Sequence, residues 1–306
     1  MLVGHMDTVW PVGSWPNLWN EKHGHIHGPG VYDMKAGLLF ALELLRWLEA
    51  TGADHPTLDI LINPDEETGS KGSGAIIRSA ARDNDLAVVL EPSTPDGVIK
   101  LARKGSGEYA LEIHGRSAHQ GVEPEVGVNA AVEAAHQIMR LLELQDLEVG
   151  TTVGPNVLRA GSASNVVPDH ARLLIDVRAW TVDEQQRLDD GIAALKPVLD
   201  GSSFSLGGGW NRPPMEMTET SMAVFERVRS IGAGLGLDLR WVRWGGSSDA
   251  NLTAAEGTTT IDGLGPVGRG SHQRSESIEI EALPARMALL AELVHSLVEP
   301  IATGTS

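Results

Sequence analysis

The chain has 306 residues, 42 % of them apolar, and a formal net charge of −17 at pH 7. That length can hold two domains, and the acidity argues against a nucleic-acid backbone as partner. No apolar run approaches the length of a membrane span and cysteine is absent, so neither disulfides nor thiolate ligands are available.

In chain order, Met1-Leu2-Val3 leads into Gly4-His5-Met6-Asp7-Thr8-Val9. This reads as a short strand ending on polar side chains. Gly-His-Met can also be a cloning remnant, but the apolar lead and the Asp7-Thr8-Val9 continuation favour the strand. Gly28-Pro29-Gly30 announces a turn before Asp33, and Ala36 to Leu48 has the spacing of an amphipathic helix. Leu58-Asp59-Ile60-Leu61-Ile62 and Leu86-Ala87-Val88-Val89-Leu90 read as buried strands, ending at Asp65-Glu66-Glu67 and at Glu91-Pro92. Short apolar runs alternating with helical patterns predict an α/β sheet. Open sheets of that kind place ligands at the carboxyl ends of their strands.

From about Gly105 to Asn211 the pattern changes. Tyr109 to His114 alternates like a half-buried strand. Asn129 to Leu144 reads as a helix, Ala171 to Val177 as a strand, and Asp183 to Leu195 as a helix. Gly105-Ser106-Gly107 and Gly207-Gly208-Gly209 flank this α+β unit like hinges. The expected division is residues 1–104 and 212–300 for an α/β domain, 105–211 for an insert, and 301–306 as a disordered tail. A last helix is expected from Glu281 to Leu297. No internal repeat is visible.

Five side chains form a ligand set suited to zinc: His5, Asp33, Glu67, Glu91 and His272. Glu66 stands beside one of them, and metal-assisted hydrolysis needs such a carboxylate to take a proton from water. Each has a plain reading alone. Glu66-Glu67 could open a helix, Asp33 could be a turn residue, and His272 could be a surface histidine in a Gly/Ser loop. Their order along one chain carries the case.

In that order the motifs closely resemble the superfamily of zinc aminoacylases, acetylornithine deacetylases, succinyl-diaminopimelate desuccinylases and carboxypeptidase G. The pattern is His-x-Asp, Gly-x-Gly-x-x-Asp, Asp-Glu-Glu, Glu-Pro, an inserted Ser-Ala-His and a late His. It runs from Gly4 to about Leu297 and is nearest to the carboxypeptidase G branch. His5-Met6-Asp7-Thr8-Val9, Gly121 to Asn129, and Gly263-Leu264-Gly265 are shared phrases. The implied fold is a di-zinc exopeptidase-like α/β catalytic domain with an inserted α+β lid/dimerisation domain. Relatives carry several dozen residues before the His-x-Asp strand, so the N-terminus is expected to be truncated. No signal peptide is seen, and the expected location is cytoplasmic, with secretion left open by a missing N-terminus.

The resemblance implies two Zn²⁺ ions per subunit, with Co²⁺ or Mn²⁺ as substitutes. His5, Asp33 and Glu91 would hold one, Asp33, Glu67 and His272 the other. Asp33 would bridge them, and its peptide bond to Met34 would be cis. Glu66 would be the general base, and Asp7 would orient His5. His119, reaching from a partner subunit of a homodimer, would stabilise the oxyanion. Asn165 and Arg178 would hold a substrate carboxylate or amide, and Gly246 would offer backbone N–H groups to that carboxylate. Lys100 and Arg212 would suit an extra carboxylate. The expected reaction is hydrolysis of an amide next to a free carboxylate, releasing a C-terminal glutamate or similar amino acid. Rivals are an N-acyl-amino-acid deacylase, a short-peptide dipeptidase and, further off, a non-catalytic paralogue that binds a carboxylate ligand. No membrane partner is expected.

Overall fold

The computed structural model describes residues 1–299, so the expected tail after Pro300 lies outside the described residues. Two compact units emerge. One is Met1–Arg103 with the chain from Met215 onward, and the other is Lys104–Pro214.

The first unit is built on a six-stranded sheet. Its spatial order is Arg240–Trp244, Val98–Arg103, Thr259–Asp262, Leu86–Val89, Leu2–His5 and Ile60–Asn63. All neighbours run parallel except one antiparallel pairing, Asp262 opposite Lys100. Both faces are covered. Leu2, Val88, Ile99, Leu101 and Ile261 pack with Phe40, Leu44, Phe225, Leu289 and Leu293 from three helices, Ala36–Thr51, Glu219–Gly234 and Leu283–Ser296. Val3, Ala87 and Val89 point the other way, onto Ala81 and Ala250 of the helices Gly74–Arg82 and Ala250–Ala254. Burial on two faces explains why these strands read as continuous apolar runs instead of alternating ones. The Ile60–Asn63 strand is an exception. It lies at the sheet edge, and only Asn63 in it is fully buried.

Gly4 belongs to the central Leu2–His5 strand, where an added Cβ would stand 2.6 Å from Leu38 Cδ2 and 2.8 Å from Met34 Cε. That is the setting of a core strand. A second, four-stranded sheet joins Asn20–Lys22, His25–His27, Ser277–Glu279 and Gly268–Arg269. It brings the chain entering the Asp33 turn beside the chain leaving His272.

The second unit is an antiparallel sheet in the order Ser203–Arg212, Gly105–His114, His170–Ala179 and Thr152–Ala160. Leu111, Ile113, Leu173 and Ile175 meet Ala134, Leu141, Leu188 and Ile192 from the helices Ala130–Leu142 and Val182–Ala193. Asn129 caps the first of these, its side chain accepting from Ala131 N and Val132 N. A short ribbon pairs Val166 with His119.

The hinge-like glycines are strand residues instead. Gly105 and Gly107 open one strand, and Gly207, Gly208 and Gly209 pair with Ala110, Tyr109 and Glu108. Gly208 has φ 88°, and a Cβ there would lie 2.1 Å from the Glu108 carbonyl oxygen. A close backbone approach thus accounts for a glycine that the sequence presents as flexible. Among the described residues no helix is long and apolar enough to cross a membrane.

Candidate metal centre

Three neighbouring strands deliver polar side chains to one end of the main sheet. His5 ends the Leu2–His5 strand, Glu66 and Glu67 follow Ile60–Asn63, and Glu91 follows Leu86–Val89. Asp33 comes from the turn after His25–His27, and its peptide bond to Met34 is cis, as expected. His272 stands in the loop before Ser277–Glu279, with φ 62°.

Asp33 lies between the two imidazoles. Its Oδ1 is 3.3 Å from His5 Nε2 and its Oδ2 is 3.4 Å from His272 Nε2. Glu91 Oε1 approaches His5 Nε2 at 3.7 Å, and Glu67 Oε2 approaches His272 Nε2 at 3.1 Å. Ligand atoms of His5, Asp33 and Glu67 all lie within 4.8 Å of one another. Asp7 stands behind them. Its carboxylate is 3.3 Å from His5 Nδ1, and it accepts hydrogen bonds from Glu66 N at 3.2 Å and Glu67 N at 3.0 Å. One carboxylate thereby fixes an imidazole and the turn carrying both glutamates.

The electrostatics fit a cation site. Burial works against a charged His5, but Asp33, Asp7 and the nearby Glu91 and Glu66 outweigh it and push its pKa up to about 12. Contact with Asp33 raises His272 to about 9, against partial burial. Burial and the adjacent Asp33 push Glu67 up to about 7 and Glu91 to about 8. Burial opposes ionisation of Asp33, yet His272 and His5 hold it well below the usual carboxylate range. Buried carboxylates crowd here, and protons on two histidines supply the positive charge. His5 Nε2 is buried and has no hydrogen-bond partner. An orphaned imidazole nitrogen facing carboxylate oxygens suits a zinc site.

The remaining expected residues divide between the units. Lys100 is buried, donates to Pro92 O at 2.9 Å and lies over the Trp244 ring; burial and the adjacent Arg103 push its pKa down to about 8. The Gly246 carbonyl accepts from Arg103 Nη1 at 2.8 Å. Two amides after it are engaged by side chains, Ser248 N with Asn251 Oδ1 and Ala250 N with Ser248 Oγ. The helix that follows has five residues. In the second unit, His119 and Asn165 are exposed neighbours, joined by Gln120 N donating to Asn165 O at 2.9 Å. Arg178 pairs with Asp176 at 2.8 Å, and Arg212 is buried on its strand opposite Ser106.

Matches to known proteins agree with this geometry. The model of Peptidase family M20/M25/M40 matches residues 1–296. The chain belongs to that family. It is 30 % identical to carboxypeptidase G2 of Pseudomonas sp. (strain RS-16), across 97 % of this chain and 73 % of the relative. The structure of aminopeptidase PepT from Bacillus cereus ATCC 10987 superposes with a TM-score of 0.82 at 25 % identity, covering 97 % and 80 % of the two chains. An M20 family metallo-carboxypeptidase from Sulfolobus solfataricus shares the fold, with a TM-score of 0.70 at 15 % identity over 96 % and 84 %. The protein is therefore an M20-family hydrolase of the metallopeptidase type, with the mixed α/β fold of its relatives.

Some polar residues around the site carry no motif. Arg103 and Asp262 form a buried ion pair at 2.5 Å, with Ser248 Oγ donating to Asp262. Asp249 accepts from Ser70 Oγ at 2.5 Å and from Asn63 Nδ2, tying the glutamate turn to the core. Glu276 reaches the Asp33 turn. Lone charged residues give no sequence signal for contacts so distant along the chain.

Proposed function

We propose that this M20-family protein is a zinc-dependent amide hydrolase that cuts next to a free carboxylate and releases a C-terminal glutamate or a similar amino acid. The observation carrying the metal part is Asp33, whose two oxygens each face a different histidine. His5, Asp33 and Glu91 would hold one ion, and Asp33, Glu67 and His272 the other. A zinc pair held there would polarise the scissile carbonyl and make water acidic near neutral pH. Glu66 takes the proton of the attacking water and returns it to the leaving amine. Asp7 keeps the His5 ring oriented. His119 donates to the developing oxyanion from a partner subunit. Arg178, Asn165, Arg212, Lys100 and the Gly246 loop are the proposed contacts of the substrate carboxylates.

The glutamate assignment is supported by the shared sequence with carboxypeptidase G2. The likeness to an aminopeptidase favours short peptides as a second reading. A hydrolysis screen decides between them. Zinc-loaded protein is offered N-acyl-glutamates, other N-acyl amino acids, and di- and tripeptides with free or blocked carboxyl ends. The proposal expects fastest release from N-acyl-glutamates and loss of activity on amidating the carboxylate. Preference for tripeptides over N-acyl-glutamates would install the second reading. No turnover of any amide by zinc-loaded protein would refute both.

A further inference from the structure

Glu276 is 1 % exposed, and its carboxylate is spent on backbone. Oε2 accepts from Gly30 N, and Oε1 accepts from both Tyr32 N and Asp33 N, each at 3.0 Å. All three donors belong to the turn that presents Asp33. That turn needs an external acceptor because its own geometry is irregular. Gly30 sits at φ 74°, where a Cβ would stand 2.6 Å from Thr8 Cγ2, and the turn's own backbone bonds, Val31 N to Gly28 O at 3.3 Å and Lys35 N to Gly30 O at 2.8 Å, leave the Gly30, Tyr32 and Asp33 amides to Glu276. Successive N–H groups converging on one anion make a nest. Here the anion is a side chain of the same protein.

Glu276 follows His272 by four residues and directly precedes the Ser277–Glu279 strand, which pairs with His25–His27. One short segment thus carries a histidine of the site and the acceptor that fixes the opposing aspartate. The far side of the turn is pinned as well. The Tyr32 hydroxyl donates to Ser93 O at 2.9 Å, two residues beyond Glu91.

We propose that Glu276 is a positioning residue of the metal cradle. It locks the Gly30–Asp33 backbone relative to His272, so that the Asp33 carboxylate stands between the two imidazoles before a metal ion arrives. This rests on the metal-hydrolase reading above. Glu276 acts through the amides of the turn.

The test uses the full chain, stripped of metal, as parent, Glu276→Gln and Glu276→Asp. Zinc affinity is read by chelator competition, backbone exchange by hydrogen–deuterium mass spectrometry, and turnover after zinc loading. Partners behind metal ligands typically carry about 10–100-fold in affinity or activity. The Gln variant, which sets an N–H group against one of the amides, should bind zinc about tenfold or more weakly. Its 28–35 segment should exchange faster, and kcat should fall while KM stays within about twofold. A purely structural glutamate would lower the unfolding midpoint and leave zinc affinity and kcat at parent values; that result overturns the proposal. Should neither variant fold, the stripped parent decides. Its Gly30, Tyr32 and Asp33 amides should exchange on the order of 100-fold slower than an open loop, and open-loop exchange overturns the proposal. A parent that binds no zinc would strike the metal reading itself, whereas zinc binding by the parent with unchanged variants strikes Glu276 alone.

Discussion

Removing and restoring the metal should move protons, and the structure sets how many. In the stripped protein at pH 7, His5 and His272 hold protons because their pKa values stand at about 12 and about 9. Glu91, at about 8, is mostly protonated, and Glu67, at about 7, is half protonated. Zinc accepts only neutral imidazole and ionised carboxylate. If both proposed positions fill, binding should therefore release one proton from each histidine, most of one from Glu91 and half of one from Glu67, about three per chain. Zinc titration calorimetry at pH 7, in buffers of different ionisation enthalpy, reads this number as a slope. Affinity should rise with pH across the same range.

The sign for stability follows from the same groups. His272 is raised above 6.5, so its contribution is full below that value and lost as pH climbs through about 9. Glu67 and Glu91 are raised above 4.5, so theirs is full below 4.5 and lost through about 7 and about 8. The unfolding midpoint of stripped protein should fall between pH 5 and 9, and added zinc should restore it. A calorimetric slope near zero, with a flat midpoint over that interval, would refute the reasoning, because the cradle would then already be in its metal-ready protonation state.

Three further outcomes are expected. Glu66→Ala should keep its zinc and lose about 10²–10⁴-fold in kcat, whereas Glu67→Ala should lose metal, as read by metal analysis beside turnover; near-parent kcat in Glu66→Ala would remove it as the base. Asp262→Asn should destabilise the fold by about 3–5 kcal/mol in denaturant titrations, because it leaves buried Arg103 without its carboxylate. If the protein is a dimer that shares His119 across subunits, mixing inactive Glu66→Ala and His119→Ala chains should restore up to about a quarter of parent activity once subunits exchange. No recovery despite demonstrated exchange would confine His119 to its own chain.

Much of the catalytic sheet was legible because parallel strands buried on both faces leave uninterrupted apolar runs. Leu86–Val89 is the clear instance, and the polar residues just past such runs pointed to the cradle. Ile60–Asn63 was legible only in part, since an edge strand keeps its apolar pattern with little burial. Gly208 in the 207–209 triplet misled because composition records a missing side chain but not what occupies its space, here the Glu108 carbonyl oxygen. Glu276 was silent for a different reason. It bonds to amides more than 240 residues away, and a backbone N–H has no residue identity for a motif to capture. The Arg274 guanidinium, 4.4 Å from the Trp10 ring centroid and donating to Ser14 O, was silent in the same way.

The place of Thr259–Asp262 in the main sheet has a consequence for synthesis. That strand lies between Leu86–Val89 and Val98–Arg103, which leave the ribosome first, with Lys104–Pro214 emerging in the interval. At about 5–20 residues per second, the two early strands wait on the order of ten seconds or more for the neighbour that joins them. Their edges stay open to mispairing meanwhile. The inserted unit has its own core and can finish folding within that pause. His272 emerges later than the missing strand, so the five side chains of the cradle come together only after both parts of this unit have been translated.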